Sequence, residues 1–253
     1  MKAIYKIVCL VLIIGVTFRQ GFCGEKTGSS SGLDVRALEQ SSIEFEGRQL
    51  VKKSIYDQAI IKFQEALAPR FILKESDKCL PLAGIMGVHR LQGKYNEALE
   101  EAEWFLRLNP NKQEYEDNRL ELKALGEARA EKDPVPIYKA IKYFREKYKD
   151  MLPPKAYVSV YIPIITSKII YLYDYIGDAD GGIAFCDEVL KYWEKKSGYN
   201  LHRPGSKEPY FLVRQAFKQD KEEGFKGCLD AKPGEVCMGR AAKAVIQSDY
   251  FPW

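Results

Sequence analysis

Between Gly93 and Pro110 a glycine, an aromatic, a small residue and a hydrophobic stripe follow one another at helical spacing. Gly93 reaches backbone conformations closed to other residues, so it ends one helix and opens a tight turn into the next. Tyr95 fills the gap between the two helices, and Ala98 is small enough to let them approach closely. Leu99, Ala102 and Phe105 fall on one face of the second helix, and Pro110 stops it. The stretch reads as the second half of a helix–turn–helix unit.

The same order recurs. Upstream, Gly47 is followed by Ser54-Ile55-Tyr56, Ala59, Phe63 and Ala66-Leu67, and the equivalent small residues Ala59 and Ala98 are 39 positions apart. An insertion holding Pro69 and Glu75-Ser76-Asp77 accounts for the length. A looser third copy has Leu125 and Ala128 in a first helix and Ala140, Phe144 and Tyr148 in a second, joined by Asp133-Pro134-Val135-Pro136 instead of a glycine turn. A fourth runs through Tyr171, Gly177-Asp178, Gly182, Phe185, Val189 and Leu190, with Gly177 ending its first helix and Gly182 in place of the small alanine.

These spacings resemble the tetratricopeptide repeat, whose period is ~34 residues. The resemblance covers residues 39–197. It implies an all-α fold, a right-handed α-solenoid of about four helix–turn–helix repeats, that binds proteins or peptides and is not an enzyme.

The chain starts like a secretory signal: Lys2 and Lys6, a 12-residue apolar run from Ile7 to Phe18, then Gly21-Phe22-Cys23-Gly24. Twelve residues are too few for a membrane span, which needs ~20. Residues 1–23 are read as a signal peptide cleaved after Cys23, with lipidation of Cys23 or an uncleaved anchor as alternatives. The chain is therefore expected to be exported, periplasmic or secreted, touching a membrane only through that segment. Residues 24–38 read as a flexible linker, with Asp34 as a helix cap. Removing residues 1–23 leaves 36 basic against 35 acidic side chains, a balance that argues against a nucleic-acid partner. Residues 198–253 form a loop followed by two helices, one marked by Tyr210, Phe211, Val213, Ala216 and Phe217, the other by Val236, Ala241, Ala244 and Val245. They are expected to cap the last repeat, as solenoids require.

Chemistry-bearing residues are sparse. The two histidines, His89 and His202, lack a nucleophile or ligand context, and no phosphate-binding loop or paired-histidine motif occurs, so no catalytic residue, metal or cofactor is expected. Cys228 and Cys237 flank Pro233-Gly234, a turn that brings the sulfurs together in an oxidising compartment. Free thiols are the other possibility. Cys186 reads as a small core residue, and Cys79 is too far along a solenoid to pair with it. If the resemblance holds, the first helix of each repeat lines a concave groove. Arg48, Arg90, Arg129 and Lys132 there are candidates to accept a partner's carboxylates, and Tyr171, in a region rich in tyrosine, to contact its surface. The function expected is an exported scaffold that binds a protein or peptide through its concave face. The alternatives are a tethered structural subunit of a cell-envelope assembly and a helical glycan-active enzyme.

Overall fold

The computed structural model describes residues 35–108, 113–149, 161–195, 208–232 and 234–248. The described residues are all-α, as expected, with no strand among them. In chain order the helices are α1 (Val35–Lys52), α2 (Tyr56–Ala66), α3 (Cys79–Leu91), α4 (Tyr95–Leu108), α5 (Gln113–Glu131), α6 (Val135–Lys147), α7 (Tyr161–Tyr175), α8 (Ala179–Lys195), α9 (Glu208–Glu222) and α10 (Arg240–Gln247). Two compact units emerge. Among the described residues, one takes those up to His89 together with those of Glu97–Tyr115, the other Arg90–Asn96 together with those from Glu116 onward.

In the first unit α1 and α2 form an antiparallel pair. The α1 helix begins at Val35, inside the segment expected to be a linker, because Val35-Arg36-Ala37-Leu38 contains no glycine or proline to prevent it; Asp34 lies outside the described residues. Ser54 makes the turn with φ 61°, and the Ile55 amide donates to the Leu50 carbonyl at 2.9 Å, the closure that usually employs glycine. Phe63 of α2 is wedged between two glycines. A Cβ on Gly47 would come within 2.8 Å of its ring, and one on Gly84 within 2.6 Å. The small residues are thus there for close approach. Gln40 of α1, buried, donates to the carbonyls of Ala66 and Asp77 at 2.9 and 3.0 Å, and Phe71 packs on Ile43 and Ala66. The expected insertion therefore has its own order, with a 3-10 turn at Glu75–Lys78. A second cluster joins Cys79, Phe105, Leu106 and Tyr115, with the rings of Phe105 and Tyr115 stacked 5.0 Å apart. Cys79 is disulfide-bonded, and Cys186 is free and buried; the two are not paired, as expected. Ala98 and Ala102 are fully buried. Ala98→Trp is expected to lower stability by at least ~1–3 kcal/mol through overpacking; an unchanged melting temperature would put Ala98 in a site with room to spare.

In the second unit three helices end alike. Gly177 (φ 71°), Lys132 (φ 52°) and Gly224 (φ 72°) take the left-handed conformation. Each is followed by an amide that bonds a carbonyl five residues back: Asp178 to Tyr173, Asp133 to Ala128 and Phe225 to Asp220. Lys132 explains how the third copy turns without glycine. Asp133 Oδ1 then accepts from the Val135 amide at 2.9 Å, and Pro134 precedes α6 with Pro136 in its first turn, where a missing N–H is harmless. A Cβ on Gly182 of α8 would collide with the Phe217 ring of α9. The α9 helix packs on α8 and α10, and α10 packs back on α7. Val236, expected to begin the last helix, is exposed and precedes it. The helix starts only at Arg240, where side chains from α7 and α9 satisfy its first amides.

Candidate functional site

The α5 and α7 helices carry an unusual load of buried charge. Glu121 of α5 accepts from Arg90 Nη1 at 2.7 Å and also pairs with Lys168 of α7. Lys168 Nζ donates a second bond to Asn118 Oδ1 at 2.7 Å, and the Arg90 guanidinium lies 4.6 Å from the centre of the Tyr171 ring. Burial alone would raise the Glu121 pKa; Lys168 and Arg90 outweigh it and hold the carboxylate below its usual range. Burial likewise opposes the charge on Arg90, and Glu121 and Tyr171 more than restore it.

The same two helices hold a later stretch of the chain. The Cys228 amide donates to the Tyr175 carbonyl at 2.7 Å, and Cys228 and Cys237 form the expected disulfide. Between them, Lys132 Nζ lies 2.9 Å from Asp230. Arg129 Nε donates to the Ala231 carbonyl at 2.8 Å, its Nη2 to Lys232 and its Nη1 to Gly93 at 3.1 Å. Beyond the disulfide, Asp174 of α7 accepts from the amides of Gly239 and Ala242 at 2.7 and 3.2 Å. Asp220 of α9 accepts from Arg240 and Ala241 at 2.8 and 3.3 Å. Two carboxylates thereby satisfy the orphan amides that open α10.

Of the residues expected to meet a partner, Arg90 and Tyr171 are instead internal, held by an ion pair and stacked on each other. A carboxylate across the helices and a flat ring beneath are better partners for a planar cation than water is. Arg129 is partly buried and engaged by three carbonyls. Lys132 is exposed, its side chain 70% accessible. Arg48 belongs to the first unit, half-buried, its pKa lowered by burial against the opposing pull of Glu44. Glu121, Lys168, Asp174 and Asp220 carry the polar architecture of the second unit. Their partners lie 20 to 68 residues away in sequence, so no local pattern marks them.

Asp174 sets a pH response. Burial, added to by Asp220, pushes its pKa up to about 7 against the hydrogen bonds from Gly239 and Ala242. Between its usual value near ~4 and 7, the folded chain keeps a proton that the unfolded chain has lost, so stability falls as pH rises through that window and levels off above it. Glu121 acts oppositely at more acid pH, where its stabilisation is lost as pH falls through its lowered folded pKa. The second unit is expected to melt higher at pH 5.5 than at pH 8, and Asp174→Asn to remove most of the difference. Equal melting of the wild type at the two values would contradict this.

Among the described residues no group of three or more His, Cys, Asp or Glu side chains is arranged to hold a metal ion. His89 pairs with Glu101 at 3.0 Å. No helix among them is long and apolar enough to cross a membrane. Comparison with protein-family models, with curated proteins and with solved structures returned no match.

Proposed function

We propose that this chain is a helical-repeat scaffold that binds a protein or peptide partner, built as a right-handed solenoid of about four helix–turn–helix units with a C-terminal cap, and exported through its N-terminal segment. One observation carries the reading. The α5 and α7 helices, with Lys132 just past the end of α5, grip a length of polypeptide by its backbone carbonyls, its amides and one carboxylate. These are the groups any peptide offers. The glycine–aromatic contacts, Gly47 and Gly84 on Phe63 and Gly182 on Phe217, support the repeat architecture, because each brings helices together at a small residue.

The partner is a protein or peptide, not a nucleic acid, and contact with a membrane enters only through the N-terminal segment. The test is quantitative affinity capture from the native envelope with the full chain and with Lys132→Glu. Lys132 is exposed and its ion pair adds little to stability, so the fold is expected to survive. Capture of the partner is expected to weaken at least tenfold, or ~1.4 kcal/mol. Undiminished capture would move the binding surface off α5, and capture of nothing above control would sink the scaffold reading.

A further inference from the structure

The face of α5 and α7 described above is contacted by the chain's own residues 228–232 and 239–242, and they are held in two different ways. The ends are fixed by buried contacts. The backbone at Gly227 lies against Gly177 so closely that a Cβ on either residue would come within 2.5 Å of a backbone carbon of the other segment, and the amides that open α10 rest on Asp174 and Asp220. The middle is held at the surface. Lys132 and Asp230 have side chains 70% and 87% accessible, and Arg129 reaches only the carbonyls of Ala231 and Lys232 there. The Cα atoms of Cys228 and Cys237 are 5.6 Å apart, so the disulfide closes the base of the loop whether or not its middle is engaged. The contacts of the middle with Lys132 and Arg129 are thus separate from both buried anchors.

We propose that residues 229–236 are a built-in competitor for a peptide site on α5, and that the partner presents the same chemistry. That chemistry is an acidic side chain for Lys132, followed by two successive backbone carbonyls for Arg129. The proposal rests on the reading of the chain as a peptide-binding scaffold. A tethered loop competes at an effective concentration of order mM, enough to mask the site from a free peptide of moderate affinity. Arg129 lies in the last turn of α5 and Lys132 at the left-handed residue that ends it. Their targets, Asp230, Ala231 and Lys232, are consecutive, so the pair reads a short segment and not an extended one.

The probe is the disulfide-closed synthetic decapeptide of residues 228–237, carrying a fluorophore. It is titrated against the full chain and against a full chain in which residues 229–236 are replaced by two glycines, with Cys228 and Cys237 kept. The loop-replaced protein is expected to bind the probe at least tenfold more tightly than the wild type. Adding Lys132→Glu is expected to abolish this, and a decapeptide carrying Asp230→Lys to restore it. Should the loop replacement impair folding, Asp230→Lys in the full chain tests the same point, because it repels the loop from Lys132. It is expected to raise binding of the original decapeptide at least threefold. Equal binding by wild-type and loop-replaced protein, no binding to a loop-replaced protein with wild-type melting, insensitivity to the charge exchange, or no gain with Asp230→Lys would overturn self-competition. If capture of the partner still depends on Lys132 in that event, the scaffold reading stands alone; if that dependence is also absent, both fall.

Discussion

Glu121→Ala is expected to cost the second unit about 3–5 kcal/mol, the range for removing one member of a buried charge network. Arg90 and Lys168 share this carboxylate, with side chains only 13% and 6% accessible. Without it two cations stay buried with too little counter-charge. The loss should appear in denaturant unfolding followed by a probe in the second unit. Replacing the whole set, with Arg90→Met, Glu121→Leu and Lys168→Met together, should recover most of the stability, since an apolar set of similar volume leaves no orphaned charge. A loss under about 1 kcal/mol for Glu121→Ala would mean that water reaches the cluster and screens it.

Gly177→Ala is expected to destabilise by roughly 3 kcal/mol or more. A left-handed conformation costs a non-glycine residue ~1–2 kcal/mol. Here the new methyl would also lie 2.5 Å from the Lys226 carbonyl carbon and 2.6 Å from the Gly227 nitrogen. Those are backbone atoms and cannot rotate aside, so overpacking adds ~1–3 kcal/mol. Gly224→Ala is the control. Its φ of 72° is nearly the same, yet nothing lies within 4 Å of the new methyl, so only the conformational part should appear. Equal costs at the two sites would show that the 226–227 segment moves away without penalty. Hydrogen exchange at the Cys228 amide, bonded to the Tyr175 carbonyl, reports whether that segment has detached.

Helix pairing was legible in the sequence wherever one residue type has one physical role. Gly93 and Gly177 end helices at positive φ, Gly47 and Gly182 meet aromatic rings, and the Pro-Gly turn between two cysteines foretold their bond. The turns at Ser54 and Lys132 were not legible, because either residue takes the left-handed conformation only when the surrounding hydrogen bonds hold it there. Of the candidate residues, Arg129 and Lys132 contact the chain's own residues 230–232. That Arg90 and Tyr171 are internal depends on Glu121, 31 residues from Arg90, and on a ring from yet another helix. Val236 misled for a related reason. Its hydrophobicity suggested a helix start, but the start is set by Asp174 and Asp220, two carboxylates supplied from elsewhere in the chain.

Cys186 of α8 has a consequence for how the chain matures. It is the free thiol among the described residues, fully buried beside Phe185 and Val189, and burial pushes its pKa up to about 12. Burial thus disfavours the thiolate, the form that attacks disulfides and is oxidised. Before α8 packs, that protection is missing, and Cys186 is an ordinary accessible thiol. The packing of α8 on α9 is therefore what keeps this sulfur out of the chain's disulfide chemistry.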